Sequence, residues 1–88
     1  MIELKGNRLI IAGRKLTPID VQYLKIIIRD GPQSCFDLAM KTGSGFQQYA
    51  QTRMRFLCAF GVCMKLEQRG LYDINPEIKE ELRGVLVE

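Results

Sequence analysis

The sequence contains no histidine, and its apolar residues never form a long run. Without histidine, the chain lacks the commonest general base and the commonest zinc ligand. Unbroken apolar runs, such as those at 9–12 and 26–28, span only a few residues, whereas a bilayer-crossing helix needs about twenty. We therefore expect no membrane span. Charged residues interrupt the N-terminus from Glu3 onward, so we also expect no signal peptide.

The three cysteines, Cys35, Cys58 and Cys63, are too few and too irregularly spaced for a disulfide framework or a zinc site. Cysteines of this kind behave as small buried hydrophobes in a reducing compartment. These observations predict a cytoplasmic protein without a bound metal.

Catalytic motifs are also scarce. Gly43, Ser44 and Gly45 hint at a phosphate-binding loop, but the lysine that should follow is absent, so we interpret them as turn residues. Three glutamates near 77–81 begin a helix, where they complement its dipole better than they form an acid-base pair. We expect neither an enzyme nor a cofactor.

The composition is that of one small globular domain. The chain has 88 residues, of which 47% are hydrophobic and 26% charged, and we find no linker or internal repeat. We therefore predict a single domain spanning 1–88. A core of this size is small, which makes a homodimer a reasonable expectation.

Positive charge is concentrated in two blocks. Residues 1–16 carry four basic residues against one acidic residue, and residues 41–69 carry five against one, whereas the tail from residue 70 is acidic. Such blocks favour a polyanionic partner, although charge alone is also compatible with ordinary solvated surface.

The first sixteen residues predict a β-hairpin, because Gly6-Asn7 is a two-residue turn signal between β-prone runs. Counting outward from this turn pairs Lys5 with Arg8, Leu4 with Leu9, Glu3 with Ile10 and Ile2 with Ile11. A helix should follow from about Pro18 to Asp30, with Thr17 as its N-cap and Leu16 and Val21 as a hydrophobic staple. Its apolar stripe comprises Ile19, Tyr23, Leu24, Ile27 and Ile28.

Two further helices complete a three-helix core over 17–61. Ser34 and Asp37 begin the second helix, and Gly43 fits the left-handed residue that ends it. Ser44 and Gln47 form a capping box for a third helix, from about Gly45 to Phe60. Two helices joined by a tight glycine turn make a helix-turn-helix.

After Gly61 the pattern alternates. Val62, Met64 and Leu66 should face one way and Cys63, Lys65 and Glu67 the other, with a return strand at 71–74, so that 62–75 forms a second hairpin. A final helix should occupy 76–88, with Ile78, Leu82 and Val85 at helical spacing.

The stretch from Phe46 to Val62 resembles the third helix and wing entry of winged-helix transcription regulators, in which apolar residues recur before a glycine that opens the wing. Gly61 corresponds to that glycine, preceded by Leu57, Met54 and Ala50. The resemblance implies an α+β winged helix-turn-helix fold over 17–75, flanked by the N-terminal β-hairpin and the C-terminal helix. Arg53 departs from the pattern, because such domains usually carry an aliphatic residue there, and Phe56 and Phe60 fall where polar residues are more usual. Either the helix is rotated, or these aromatic residues pack on the N-terminal hairpin or on a partner.

In the winged-helix regulators that this stretch resembles, the third helix enters the DNA major groove and reads base edges. The side chains on its polar face, which suit adenine and guanine recognition, are Gln47, Gln48, Gln51, Thr52 and Arg55. The candidate phosphate contacts are Lys65 and Arg69 on the wing and Lys41 on the second helix. If the first hairpin docks nearby, Arg8, Arg14 and Lys15 extend the same surface. Tyr49 is expected to lie partly in the core.

Two functions remain open. The first is sequence-specific binding of double-stranded DNA by a small transcriptional regulator, dimeric through Ile78, Leu82 and Val85 or through the N-terminal hairpin. The second is a winged-helix module that binds another protein through Phe56, Phe60 and the tail helix. Binding to single-stranded nucleic acid or RNA is less favoured, because no pair of exposed strand aromatics is evident.

Overall fold

A computed structural model describes residues 2–5, 8–43, 47–67 and 70–86, and it has an α+β architecture. Over these residues four helices are combined with two antiparallel sheets, one before the first helix and one after the third.

The N-terminal sheet contains β1 (Ile2–Lys5), β2 (Arg8–Ile11) and β3 (Arg14–Lys15), in that order. The predicted register is confirmed at all four pairs between β1 and β2. The prediction of a simple hairpin was wrong, because β3 adds a third strand. Ala12 and Gly13 both adopt positive φ, at 51° and 80°, and so reverse the chain after β2. Alanine is uncommon in that conformation, which explains why the turn had no clear signal.

The first helix, α1 (Pro18–Asp30), has the predicted bounds. Thr17 is its N-cap, and Asp20 completes a capping box by accepting a hydrogen bond from the Thr17 backbone N–H at 3.0 Å. Leu16 is buried and Val21 packs against the core, as the predicted staple requires. Tyr23, Leu24 and Ile27 are fully buried.

The helices α2 (Cys35–Thr42) and α3 (Gln47–Ala59) pack against each other. The predicted capping box of Ser34 and Asp37 is present, and Gly43 ends α2 in the left-handed conformation. The predicted capping box of α3 involves Ser44, which lies outside the described residues. Ala50, Met54 and Leu57 are fully buried, so this face anchors α3 to the core.

The second sheet is the predicted hairpin of β4 (Cys63–Lys65) and β5 (Tyr72–Ile74). An isolated bridge joins it to the α1–α2 connection: Gln33 and Tyr72 exchange two backbone hydrogen bonds of 3.0 and 2.7 Å. This bridge holds the hairpin beside the N-terminus of α2.

The predicted alternation after Gly61 was wrong. Val62 and Cys63 are both buried, whereas Met64 is 41% exposed. Val62 precedes the strand, in a bend where its N–H donates to the Leu57 carbonyl and its own carbonyl accepts from Asn75. Its orientation is therefore fixed by the bend, and the inward face of β4 begins at Cys63, opposite the buried Ile74.

The last helix, α4 (Pro76–Leu86), contacts β1. Leu82 is fully buried, and Ile78 and Val85 pack against the same core. Part of its apolar face is thus used within the monomer, whereas Ile78 and Val85 remain half-buried. In the part of the chain that the structure describes, no helix is long and apolar enough to cross a membrane.

Candidate functional site

The orientation of α3 is fixed by a salt bridge to α1. Asp20 is fully buried, and its carboxylate accepts two hydrogen bonds from the Arg53 guanidinium, Nε to Oδ1 at 2.9 Å and Nη2 to Oδ2 at 2.6 Å. Hydrogen bonding to Asp20 raises the pKa of Arg53, so the guanidinium stays charged. Arg53 therefore fills the position expected of an aliphatic residue by joining two helices through a bidentate ion pair.

With its Ala50, Met54 and Leu57 side buried, α3 turns its polar side to solvent. The five predicted readout residues, Gln47, Gln48, Gln51, Thr52 and Arg55, are all exposed. The Thr52 hydroxyl donates to the Gln48 carbonyl at 3.1 Å, which ties this side chain to its own helix. The predicted solvent-facing polar face of α3 is therefore present.

Three of these five residues line one surface groove together with the second hairpin. Gln47, Gln51 and Arg55 form its α3 wall, and Lys65 and Tyr72 form the hairpin wall. Ser34 and Cys35, at the N-terminus of α2, close it on the third side, and the groove encloses about 320 Å³. The other two residues, Gln48 and Thr52, lie outside this groove.

The groove has a positive electrostatic character. Arg55 and Lys65 line it, and no carboxylate is among the described residues that do so. Burial raises the pKa of the Cys35 thiol and of the Tyr72 hydroxyl. Both groups therefore remain neutral at physiological pH and add no negative charge.

The candidate phosphate contacts are distributed unequally. Lys65 lines the groove. Lys41 does not line the groove, and its ammonium donates to Asp30 at 3.1 Å and to the Gln33 side chain at 2.9 Å, in the α1–α2 connection. Arg69 lies outside the described residues. Arg8 and Lys15 are exposed beside the start of α1, where they line a separate pocket with Thr17 and Pro18.

An aromatic row connects α3 to the N-terminal sheet. The guanidinium of Arg14, on β3, lies 4.2 Å from the Phe60 ring centroid, and the Phe60 and Phe56 centroids are 6.0 Å apart. Arg53 completes the row at 5.1 Å from Phe56. Phe60 therefore contacts the N-terminal sheet, which was one of the predicted alternatives, whereas Phe56 contacts Phe60 and Arg53. Phe56 nevertheless remains 45% exposed.

Two side chains do not match their predicted environments. Tyr49 is 46% exposed, so its expected position in the core was wrong. It lies one position before the buried Ala50, at the margin of the buried face, where helical spacing alone does not distinguish core from surface. Cys35 and Cys63 are buried as predicted, whereas Cys58 is half-buried, and burial raises the pKa of all three thiols.

Sequence reasoning did not identify Ser34, Cys35 and Tyr72 as groove residues. Ser34 carried a capping signal and Tyr72 a strand signal, but neither signal indicates which element lies nearby. Their proximity depends on the Gln33–Tyr72 bridge, a contact between segments far apart in the sequence.

Within the residues that the structure describes, no group of three or more histidine, cysteine, aspartate or glutamate side chains is placed to hold a metal ion. Comparison with known proteins adds no relative: no family model, curated protein or solved structure matches this chain.

Proposed function

We propose that the chain is a winged-helix domain that binds double-stranded DNA sequence-specifically, with α3 in the major groove and the β4–β5 hairpin against the phosphate backbone. The observation that carries the proposal is the positive groove, in which Gln47, Gln51 and Arg55 on α3 lie beside Lys65 on the hairpin. Glutamine and arginine side chains form bidentate hydrogen bonds with adenine and guanine, respectively.

Packing supports a role for α3 as a rigid reading element. The Asp20–Arg53 pair and the buried Ala50, Met54 and Leu57 hold the helix against the core, so the backbone positions from which its exposed side chains project are fixed. A preorganised surface loses less conformational entropy when it binds its partner. A role in transcriptional regulation, as a dimer on a two-fold-related site, belongs to the same proposal.

The first experiment is a salt titration of duplex binding by the purified domain. Because Arg55 and Lys65 would displace counterions from the duplex, affinity should fall steeply as salt rises. A folded protein that binds no duplex in a salt-sensitive way would contradict the proposal.

Substitutions then separate base contacts from phosphate contacts. In a duplex selected for tight binding, Arg55→Ala should weaken affinity by about tenfold or more, and Gln51→Ala should relax the base preference. Lys65→Ala should weaken binding to all duplexes alike. It should also reduce the slope of log affinity against log salt concentration by about one. The double variant Gln22→Ala/Lys25→Ala, which changes exposed side chains on α1, is the matched control and should leave binding unchanged.

A second candidate function is docking of another protein on Phe56. Its ring is 45% exposed beside a shallow pocket of about 360 Å³, which Thr52, Arg55 and Ala59 also line. Phe56→Ala distinguishes the two functions, because it should abolish a protein complex while leaving phosphate-dominated DNA binding in place. Arg55 lines both the groove and the pocket beside Phe56, so its substitution does not distinguish DNA binding from protein binding.

A further inference from the structure

The outer strand of the N-terminal sheet, β1, is an edge strand, which α4 also contacts. In the sheet order β1-β2-β3, the only strand that pairs with β1 among the described residues is β2. Glu3, Leu4 and Lys5 are exposed, and Leu4 retains 50% of its accessible surface. Leu4 nevertheless lies on the same face of the sheet as its buried partner Leu9, because directly paired residues share a face.

Backbone geometry shows which groups point outward from this edge. The Leu9 carbonyl accepts from the Leu16 N–H at 2.8 Å, so the backbone polar groups of Leu9 face β3 rather than β1. In an antiparallel pair, a residue whose polar groups face away from the partner strand is opposite one that does the same. The N–H and C=O of Leu4 therefore point away from the sheet, where a further strand would meet them.

We propose that β1 is a self-association surface, on which the β1 strand of a second copy of this chain pairs antiparallel about a two-fold axis at Leu4. The two Leu4 residues then exchange a pair of backbone hydrogen bonds. The two three-stranded sheets become one continuous six-stranded sheet. The Leu4 side chains meet across the axis, on the face that already carries Leu9 and Ile11.

Charge complementarity favours β1 of a second copy as the partner strand, in the register that pairs Leu4 with Leu4. With Leu4 opposite Leu4, each Glu3 lies opposite Lys5 of the second copy, so the interface contains two cross-strand ion pairs. These positions flank a hydrogen-bonded pair and are themselves non-hydrogen-bonded pairs, in which opposite side chains approach most closely. Charges on an edge strand commonly discourage pairing, but here their opposite signs favour a copy of the same strand.

Other surfaces of the chain fit a second copy less well. The apolar face of α4 is partly covered within the monomer, and β3, the opposite edge of the same sheet, has only two residues. The proposal depends only on the N-terminal sheet and is independent of DNA binding.

The register makes a charge-reversal experiment decisive. The single variants Glu3→Lys and Lys5→Glu each place like charges opposite one another twice in the homodimer. Each should weaken self-association by about tenfold or more, as measured by sedimentation equilibrium without DNA. An equimolar mixture of the two variants restores opposite charges at both positions and should form a heterodimer of wild-type affinity. The double variant Glu3→Lys/Lys5→Glu should self-associate like the wild type.

Matched controls are charge reversals away from the edge, Glu81→Lys on α4 and Lys25→Glu on α1, which should leave association unchanged. Far-UV circular dichroism and melting temperature establish that every variant is folded. The proposal is overturned if the wild type stays monomeric at all attainable concentrations, or if the single reversals associate as the wild type does. If the single variants are monomeric alone and also fail to associate when mixed, the proposed register, with Glu3 opposite Lys5 of the second copy, is wrong.

Discussion

Asp20 and Arg53 stand thirty-three positions apart and form a buried contact between α1 and α3. The Asp20 side chain is fully buried and that of Arg53 is 19% exposed, so removal of the guanidinium leaves an uncompensated carboxylate in the core. Such a loss usually destabilises a protein strongly. We therefore expect Arg53→Ala to lower the free energy of unfolding by about 2–4 kcal/mol, discounted for the partial exposure of Arg53.

Urea denaturation measures this effect. Arg55→Ala is the matched control, because it removes the same side chain from the exposed face of the same helix and should change stability by less than about 0.5 kcal/mol. Equal unfolding midpoints for the two variants would mean that the Asp20–Arg53 pair contributes nothing to stability.

Asp30 links stability to pH. Hydrogen bonds from Arg29 and then from Lys41 lower the pKa of its carboxyl group well below the usual range. A lowered folded-state pKa stabilises the fold above the unfolded-state pKa, near 3.9, and this stabilisation is lost as pH falls through the folded-state value. The Asp30→Asn variant should therefore be less stable than the wild type at neutral pH. Its melting temperature should also fall less than that of the wild type as the pH becomes acidic.

Thermal unfolding followed at a series of pH values from neutral to acidic tests this expectation. Glu81→Gln, on the exposed side of α4, is the control for neutralising one carboxylate. If Asp30→Asn and the wild type lose melting temperature in parallel down to the most acidic pH, the contacts of Asp30 with Arg29 and Lys41 have no net effect on folding.

At the scale of the elements, replacing glycine by alanine should have opposite effects on stability at two helix positions, Gly43 and Gly84. Gly43 ends α2 at φ 74° and ψ 5°, a left-handed conformation that costs alanine about 1–2 kcal/mol. Gly84 lies within α4 without positive φ, and a Cβ placed there meets nothing within 4 Å. Gly43→Ala should destabilise the protein by about 1 kcal/mol, and Gly84→Ala should stabilise it by about 0.5–1 kcal/mol. Denaturant midpoints of the same sign for the two variants would contradict this assignment of backbone conformations.

Local signals were sufficient to predict most helix and strand positions. Thr17 and Ser34 begin helices through side-chain hydrogen bonds to residues three positions away, and Gly6-Asn7 specified the register of β1 and β2 by counting. Each of these signals acts within a few residues, so neighbouring sequence contains all the information needed. The exposed polar face of α3 was predictable for the same reason, because helical periodicity separates Gln51 and Arg55 from Met54 and Leu57.

Features that depend on distant contacts were not predictable. The groove exists because the Gln33–Tyr72 bridge brings the second hairpin to the start of α2, and nothing near Tyr72 in the sequence specifies Gln33. Lys41 carried the same charge signal as Lys65, but only the fold pairs Lys41 with Asp30. Charge and periodicity indicate which side chains are available, whereas tertiary contacts decide which of them lie together.

At the scale of the whole molecule, the described residues share one hydrophobic core, to which both sheets and all four helices contribute. Leu9 from β2, Leu24 from α1, Met54 from α3 and Leu82 from α4 are all fully buried within it. Because both sheets and all four helices bury residues in this one cluster, a cavity made in the N-terminal sheet should weaken the second sheet as well. The domain is therefore expected to unfold as one cooperative unit, as small single domains usually do.

Leu9→Ala tests this cooperativity, with an expected loss of about 2–5 kcal/mol. Two probes follow distant parts of the unfolding transition: circular dichroism reports on the helices, and thiol labelling reports on Cys63 in β4, in a background with Cys35 and Cys58 replaced by alanine. Both midpoints should shift together to lower denaturant. Leu4→Ala removes the same atoms from the exposed partner of Leu9 and, at protein concentrations at which the chain is monomeric, should shift neither by much, since its side chain is half exposed. If Cys63 stays protected while Leu9→Ala disrupts the N-terminal sheet, that sheet folds independently, and the helices and second hairpin do not need it for their stability.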